Sequence, residues 1–120
     1  MIKFKIPIKT VSEANTYEHW LKASTRHKMQ KSGVRACLNA RLGDIRLPCS
    51  IKIIRIAPRM LDKADNLPMS LKWITDAVCE IIKPGFKIGR ADDDKGFHIS
   101  FDQRKGEPKE YAVEIEVNNI

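Results

Sequence analysis

Carboxylates crowd in two places of an otherwise basic chain. Asp62 and Asp65 fall in the run Arg59-Met60-Leu61-Asp62-Lys63-Ala64-Asp65-Asn66, with Lys72 and Asp76 following, and Asp92, Asp93 and Asp94 are consecutive. Like charges this close repel unless a cation holds them. Hard oxygen donors at this density suit Mg²⁺ or Mn²⁺ rather than Zn²⁺, whose sites usually include Cys or His. A metal so held can polarise a phosphodiester, activate its bound water and stabilise the leaving oxygen. Lys72 can hold a phosphate oxygen or align that water. Structural roles compete with this chemistry: Asp65 as a helix N-cap, Lys72 with Asp76 as an i,i+4 surface pair, and Asp92–Asp94 as a polar loop.

The elements that must position these groups are legible from periodicity. Ile2, Phe4, Ile6 and Ile8 alternate with Lys3, Lys5 and Pro7, a half-buried strand whose proline favours an edge or a strand end. Asn15 and Glu18 read as a capping box opening a helix with Tyr17, Trp20 and Leu21 on its apolar stripe. Ser32-Gly33 is expected to break that helix, and Val34, Cys37, Leu38 and Leu42 resume helical spacing up to Gly43. Residues 49–57 form the strongest strand, and a switch of apolar phase between Ile53 and Ile54 predicts cover on both faces, as in a central strand. Asp65 or Asn66 caps the next helix with Pro68 in its first turn. There Leu67, Leu71, Ile74, Val78 and Ile81 face the sheet, while Asp65, Lys72 and Asp76, seven and four residues apart, share a different stripe. Residues 97–101 and 111–117 alternate as two strands, expected to pair as a hairpin across a turn at 105–108. The result is one α/β domain over residues 1–120, in β-α-β-α-β-β order, with a mixed sheet and helices packed on it. The acidic run then leaves a strand end, where open α/β sheets place their binding sites.

Charge narrows the substrate. The chain of 120 residues carries a net charge of +7, but unevenly. Residues 1–60 hold 13 basic and 3 acidic side chains, and residues 61–120 hold 9 and 12. A basic half that contacts phosphates, joined to an acidic half that holds metal, fits this split; so does a solvated basic surface. Arg59 and Lys63 beside the acidic run are candidate phosphate contacts, with a salt bridge to Asp62 as the alternative for Arg59. Gln103, Arg104 and Lys105 are candidate DNA contacts, and His98 is a weaker candidate ligand. Cys37, Cys49 and Cys79 are widely spaced and read as reduced, mostly buried thiols. The glycines make no phosphate loop, and no Gly-x-Ser-x-Gly or Cys–His signature is present. No apolar stretch approaches the roughly 20 residues that span a bilayer, so no membrane partner and a cytoplasmic location are expected.

The run from Arg59 to Leu67, Lys72-x-x-x-Asp76, Asp93-Asp94 and Gln103-Arg104-Lys105-Gly106 together resemble the RusA family of Holliday-junction resolvases, common in phages and prophages. Ser12-Glu13-Ala14-Asn15-x-Tyr17 resembles the family's opening. The resemblance implies a homodimeric, Mg²⁺-dependent endonuclease that binds branched DNA, above all four-way junctions, and makes paired cuts. It assigns Asp62, Asp65, Lys72 and Asp94 to catalysis, with Asp62, Asp65, Asp93 and Asp94 as the metal-ligand set. Arg26, Lys28, Lys31, Arg35 and Arg41 would then contact backbone phosphates, positioning the DNA rather than reading bases. A non-catalytic DNA-binding module is the alternative.

Overall fold

The structure, a computed structural model, describes residues 1–11, 20–84 and 96–120. Its elements are β1 (Ile2–Ile6), α1 (Trp20–Leu38), a 3-10 helix (Asn39–Asp44), β2 (Cys49–Ala57), α2 (Asn66–Ile82), β3 (Phe97–Lys105) and β4 (Ala112–Asn119). This is the expected α/β order, with the 3-10 helix added after α1. The strands form one mixed sheet in the order β1-β4-β2-β3. β2 and β3 run parallel on either side of the α2 crossover, and β4 is antiparallel to both β1 and β2.

β2 is an interior strand with the bounds its branched residues predict. Cys49, Ile51 and Ile53 are buried on the helix side, with Lys52 exposed on the other. The same inward parity in β1 and β4 brings Ile2, Ile6, Val113, Ile115 and Val117 into one cluster with Val34 and Leu38 of α1 and Leu67, Leu71, Ile74 and Val78 of α2. Pro7 follows edge strand β1, where its missing donor removes no ladder bond. Cover on the second face of β2 comes from no helix among the described residues. That face carries cross-strand charges: Lys3 opposite Glu116, Lys5 opposite Glu114, and Lys52 opposite Glu116.

The expected β3–β4 hairpin does not form, because β4 inserts between β1 and β2. Residues 106–111 carry the chain across the end of β2, where Gly106 N–H donates to the Ala57 carbonyl at 2.8 Å. A Cβ on Gly106 would lie 3.1 Å from Ile56 Cγ2 and 2.7 Å from Glu110 Oε1, so a larger residue here would press on Ile56 and displace the Glu110 carboxylate. Burial explains the exchange. Residues 112–115 of β4 are all buried, which demands a neighbour on each edge, whereas β3 beyond Phe97 is half-buried or exposed and suits the sheet margin.

Nor does Ser32-Gly33 break the first helix; α1 runs through it to Leu38. A Cβ at Gly33 would lie 3.0 Å from Ile8 Cδ1 and 3.2 Å from Ile6 Cγ2, so this glycine permits close approach of α1 to the end of β1. The packing outweighs a helix-propensity penalty of about 1 kcal/mol. The capping box at Asn15 and Glu18, with Tyr17, lies outside the described residues, as do Gly85, Gly89 and Asp92–Asp94. Cys49 and Cys79 are buried and none of the three cysteines forms a disulfide, and burial pushes the Cys49 thiol up, away from thiolate chemistry. Among the described residues no helix is long and apolar enough to cross a membrane.

A one-sided core predicts unequal losses on the two sheet faces. Leu71→Ala, fully buried between α2 and the sheet, is expected to lower unfolding free energy by about 2–5 kcal/mol. Lys52→Ala on the open face is expected to stay within about 0.5 kcal/mol. Urea unfolding of both variants checks this, and equal losses would contradict the packing.

Candidate active site

β1, β2 and β3 all point the same way, so their C-terminal ends share one edge of the molecule. The β2–α2 connection, residues 58–65, leaves from that edge carrying the acidic run. It is tied down through its backbone by two neighbours in register, Arg55 and Gln103. Arg55 Nη1 donates to the Arg59 carbonyl at 2.7 Å. The Gln103 amide clamps Leu61, accepting from its N–H at 2.9 Å and donating to its carbonyl at 2.6 Å. Gln103, expected as a DNA contact, thus has both ends of its amide engaged on the loop.

The two aspartates of the loop have different roles. Asp62 Oδ2 accepts from the backbone N–H groups of Asp65 at 2.9 Å and Asn66 at 3.2 Å, and Oδ1 accepts from the Asn66 side-chain amide. These bonds hold the Asp62 carboxyl below the usual carboxylate range, the Asn66 side chain contributing most. Leu67 N–H completes the turn by donating to the Asp62 carbonyl at 2.9 Å. Asp65 stands at the N-cap position of α2 but its side chain makes no cap bond. The N-cap role proposed for Asp65 therefore falls to Asp62, and the Asp65 carboxylate stays exposed at the strand–helix junction.

Lys72 and Asp76 do not continue an exposed acidic stripe. Asp76 is buried and lines a cavity of about 570 Å³ between α1 and α2, together with His27, Lys28, Lys31, Trp73 and Glu80. This face of α2 is a helix–helix seam because α1 packs along it: His27 stacks on Trp73 with ring centroids 4.1 Å apart, and Lys31 bonds Glu80 at 2.8 Å. Lys72 is half-buried, its ammonium 5.7 Å from the Trp73 ring centroid.

The expected phosphate contacts separate into distinct groups. Arg59 and Lys63 are exposed on the acidic loop, and Lys105, also exposed, ends β3 in register with Ala57. Arg104 lies on the open sheet face, bonded to Glu114 at 2.8 Å; this pairing raises the guanidinium pKa and lowers that of the Glu114 carboxyl. Arg41 pairs with Asp44 at 3.0 Å near the opposite end of the sheet, where Asn119 of β4 donates to the Asp44 carbonyl. Along α1, Lys28 and Arg35 are exposed and Arg26 is half-buried. His98 is exposed on β3.

Mg²⁺ is commonly held by one or two carboxylates with water filling the rest of its shell. Asp62 and Asp65 are donors of that kind, and the bonds that fix Asp62 also fix the start of the helix beside it. Among the described residues no three His, Cys, Asp or Glu side chains converge as a ligand cluster; Asp93 and Asp94 lie outside those residues. Compared with known proteins, the chain matches no family model and no curated protein.

Two predictions follow the loop's anchoring. Gln103→Ala removes two part-buried hydrogen bonds to Leu61 and is expected to cost about 1–2 kcal/mol. Faster hydrogen exchange at the Leu61 N–H is the local readout, and unchanged exchange there would contradict the clamp. Asp62→Ala is expected to lower Tm by about 3–6 °C at neutral pH, the scale of a lost helix cap in a domain of this length. Because the folded carboxyl lies below its unfolded value, this contribution is present above the ordinary Asp range. It fades as pH falls through that range to the depressed folded value. Wild-type and Asp62→Ala melting curves should therefore converge in acid; a constant gap would show that the cap is not the carboxylate's.

Proposed function

We propose that this chain is a Mg²⁺- or Mn²⁺-dependent, structure-selective DNA endonuclease that resolves four-way junctions as a homodimer. The observation that carries the proposal is the Asp65 carboxylate, which is left out of capping and stands exposed on a loop that also carries Arg59 and Lys63. In this reading Asp65 and Asp62 hold the ion, with Asp93 or Asp94 completing the set. When bound, the ion supplies Lewis-acid polarisation of the phosphodiester and a water of lowered pKa. Asp62 additionally fixes the helix start through its cap, so the Asp65 backbone cannot drift. Arg59, Lys63 and Lys105 draw a phosphate backbone to this edge of the sheet. Lys72, reaching from the first turns of α2, offsets carboxylate charge or holds a phosphate oxygen. Two such sites in a dimer would cut opposing strands.

A second reading, a non-catalytic DNA-binding module, is favoured by a specific feature. Of the two loop carboxylates, Asp62 is already engaged by three N–H donors. Incubation of a labelled mobile junction and a matched linear duplex with Mg²⁺, Mn²⁺ or EDTA separates the readings. The nuclease reading predicts metal-dependent symmetrical cuts in the junction. It also predicts that Asp65→Asn slows cleavage at least about a hundredfold while junction binding persists. Salt-sensitive binding with no cuts in any metal would leave the binding module.

A further inference from the structure

Beside the acidic loop, at the same edge of the sheet, lies a cavity of about 300 Å³ lined by Lys9, Thr10, Arg55, Pro58, Arg59 and Tyr111 among others. Three of these are cations, and no carboxylate is among its described lining residues. Arg55 is the unusual member. It occupies an inward position of β2, where the alternation calls for an apolar side chain, and is only 7% exposed. One guanidinium nitrogen is tethered to the Arg59 carbonyl, but the buried Nε–H has no acceptor among the described residues. A buried donor without an acceptor is destabilising and rare, so the group calls for a partner. Burial lowers the Arg55 pKa, yet a guanidinium keeps its charge in proteins. Lys9, exposed, lies with its ammonium 4.8 Å from the centre of the half-buried Tyr111 ring, which restrains it at the cavity.

We propose that this cleft is an oxyanion site that takes a phosphate group, with Lys9, Arg55 and Arg59 as its cationic contacts. Guanidinium N–H donors in a fixed orientation match phosphate oxygens, and the tether to the Arg59 carbonyl fixes that orientation before anything binds. Arg59 joins the cleft to the acidic loop, so a phosphate bound here would be a neighbour of the one presented to Asp65. The site itself does not need the nuclease reading; only the assignment of its phosphate to a DNA backbone rests on it. A free phosphate monoester is the other source of the same chemistry.

The test uses the full chain and follows the Arg55 Nε–H and Tyr111 resonances by NMR during titration with inorganic phosphate, against chloride at equal ionic strength. A saturable shift of both resonances with phosphate alone is expected. Lys9→Gln and Arg59→Gln, both at exposed positions, are each expected to weaken it about tenfold. Arg55→Lys is expected to abolish the Tyr111 shift, and if that variant fails to fold, the two glutamine variants still decide. No saturable shift, or one indifferent to both glutamine variants, overturns the site. Repeating the titration with a single-stranded oligonucleotide lacking terminal phosphates assigns the source. Matching shifts support the site with a polymer backbone as ligand, and shifts with inorganic phosphate alone support it with a free monoester. Asp65→Asn should leave phosphate binding unchanged. Phosphate binding without junction cleavage would thus count against the nuclease reading alone.

Discussion

Arg55 and Gln103 stand opposite each other near the ends of two parallel strands and hold the same loop from two sides. Both act on main-chain atoms, so the path at Arg59 and Leu61 is set without those residues' own side chains, while the Asp62 carboxylate fixes the end of the loop. That constraint requires β2 and β3 to be neighbours and to run in the same direction. The α2 crossover meets the direction requirement, since parallel strands cannot be joined by a tight turn. Adjacency follows because β4 pairs on the other edge of β2 rather than coming between β2 and β3. A β3–β4 hairpin would still allow the clamp, but β4 would then leave the far edge of β2 without its partner.

The parts of this fold that could be read from the sequence are those governed by local periodicity. Ile51, Ile53 and their neighbours specify β2 with the bounds found, and the Leu67, Leu71, Ile74, Val78 stripe of α2 faces the sheet as its spacing requires. The errors arise where a distant partner redefines a local signal. Ser32-Gly33 looks like a break until Ile6 and Ile8 arrive against it. Alternation in residues 111–117 identifies a strand but says nothing about which strand it pairs with. Asp76 lies at the expected angle on α2, but the weakly amphipathic α1 gives little warning that it will cover that angle. Within the site, the clustering of Asp62 and Asp65 was visible, while their division into a capping and an open carboxylate depends on backbone N–H directions. Arg55 did leave a trace, as the charged residue that interrupts the apolar phase of β2.

Among the described residues, part of the charge asymmetry along the chain is folded back on itself. β1 comes from the basic half and β4 from the acidic half, and the sheet sets Lys3 against Glu116 and Lys5 against Glu114. Lys52 of β2 meets Glu116 from the other side and reaches Asp102 at 3.8 Å. Arg104 is drawn to Glu114, Lys31 to Glu80 and Arg41 to Asp44. Part of the positive charge counted in the sequence is thus already answered by carboxylates among the described residues.

These pairings differ in how readily they would yield to a phosphate. An exposed pair such as Arg41–Asp44 contributes little and can exchange partners easily. Drawing Arg104 away would strand Glu114, whose side chain is only 11% exposed, so this cation is committed to the sheet. At the C-terminal edge the balance is different. Arg59, Lys63 and Lys105 are exposed there, Lys9 is held against Tyr111, and Arg55 is fixed by a carbonyl rather than neutralised by a carboxylate. A polyanion approaching this edge would therefore meet cations that the pairs named above do not commit to carboxylates. In the proposed reading the same edge would offer positive charge for binding and, in the exposed Asp65, a negative group for metal-assisted chemistry. Such a juxtaposition needs the proposed cleft and the loop carboxylates to be neighbours, and the loop, pinned at Arg59 and Leu61, lines the cleft with those two residues immediately before Asp62.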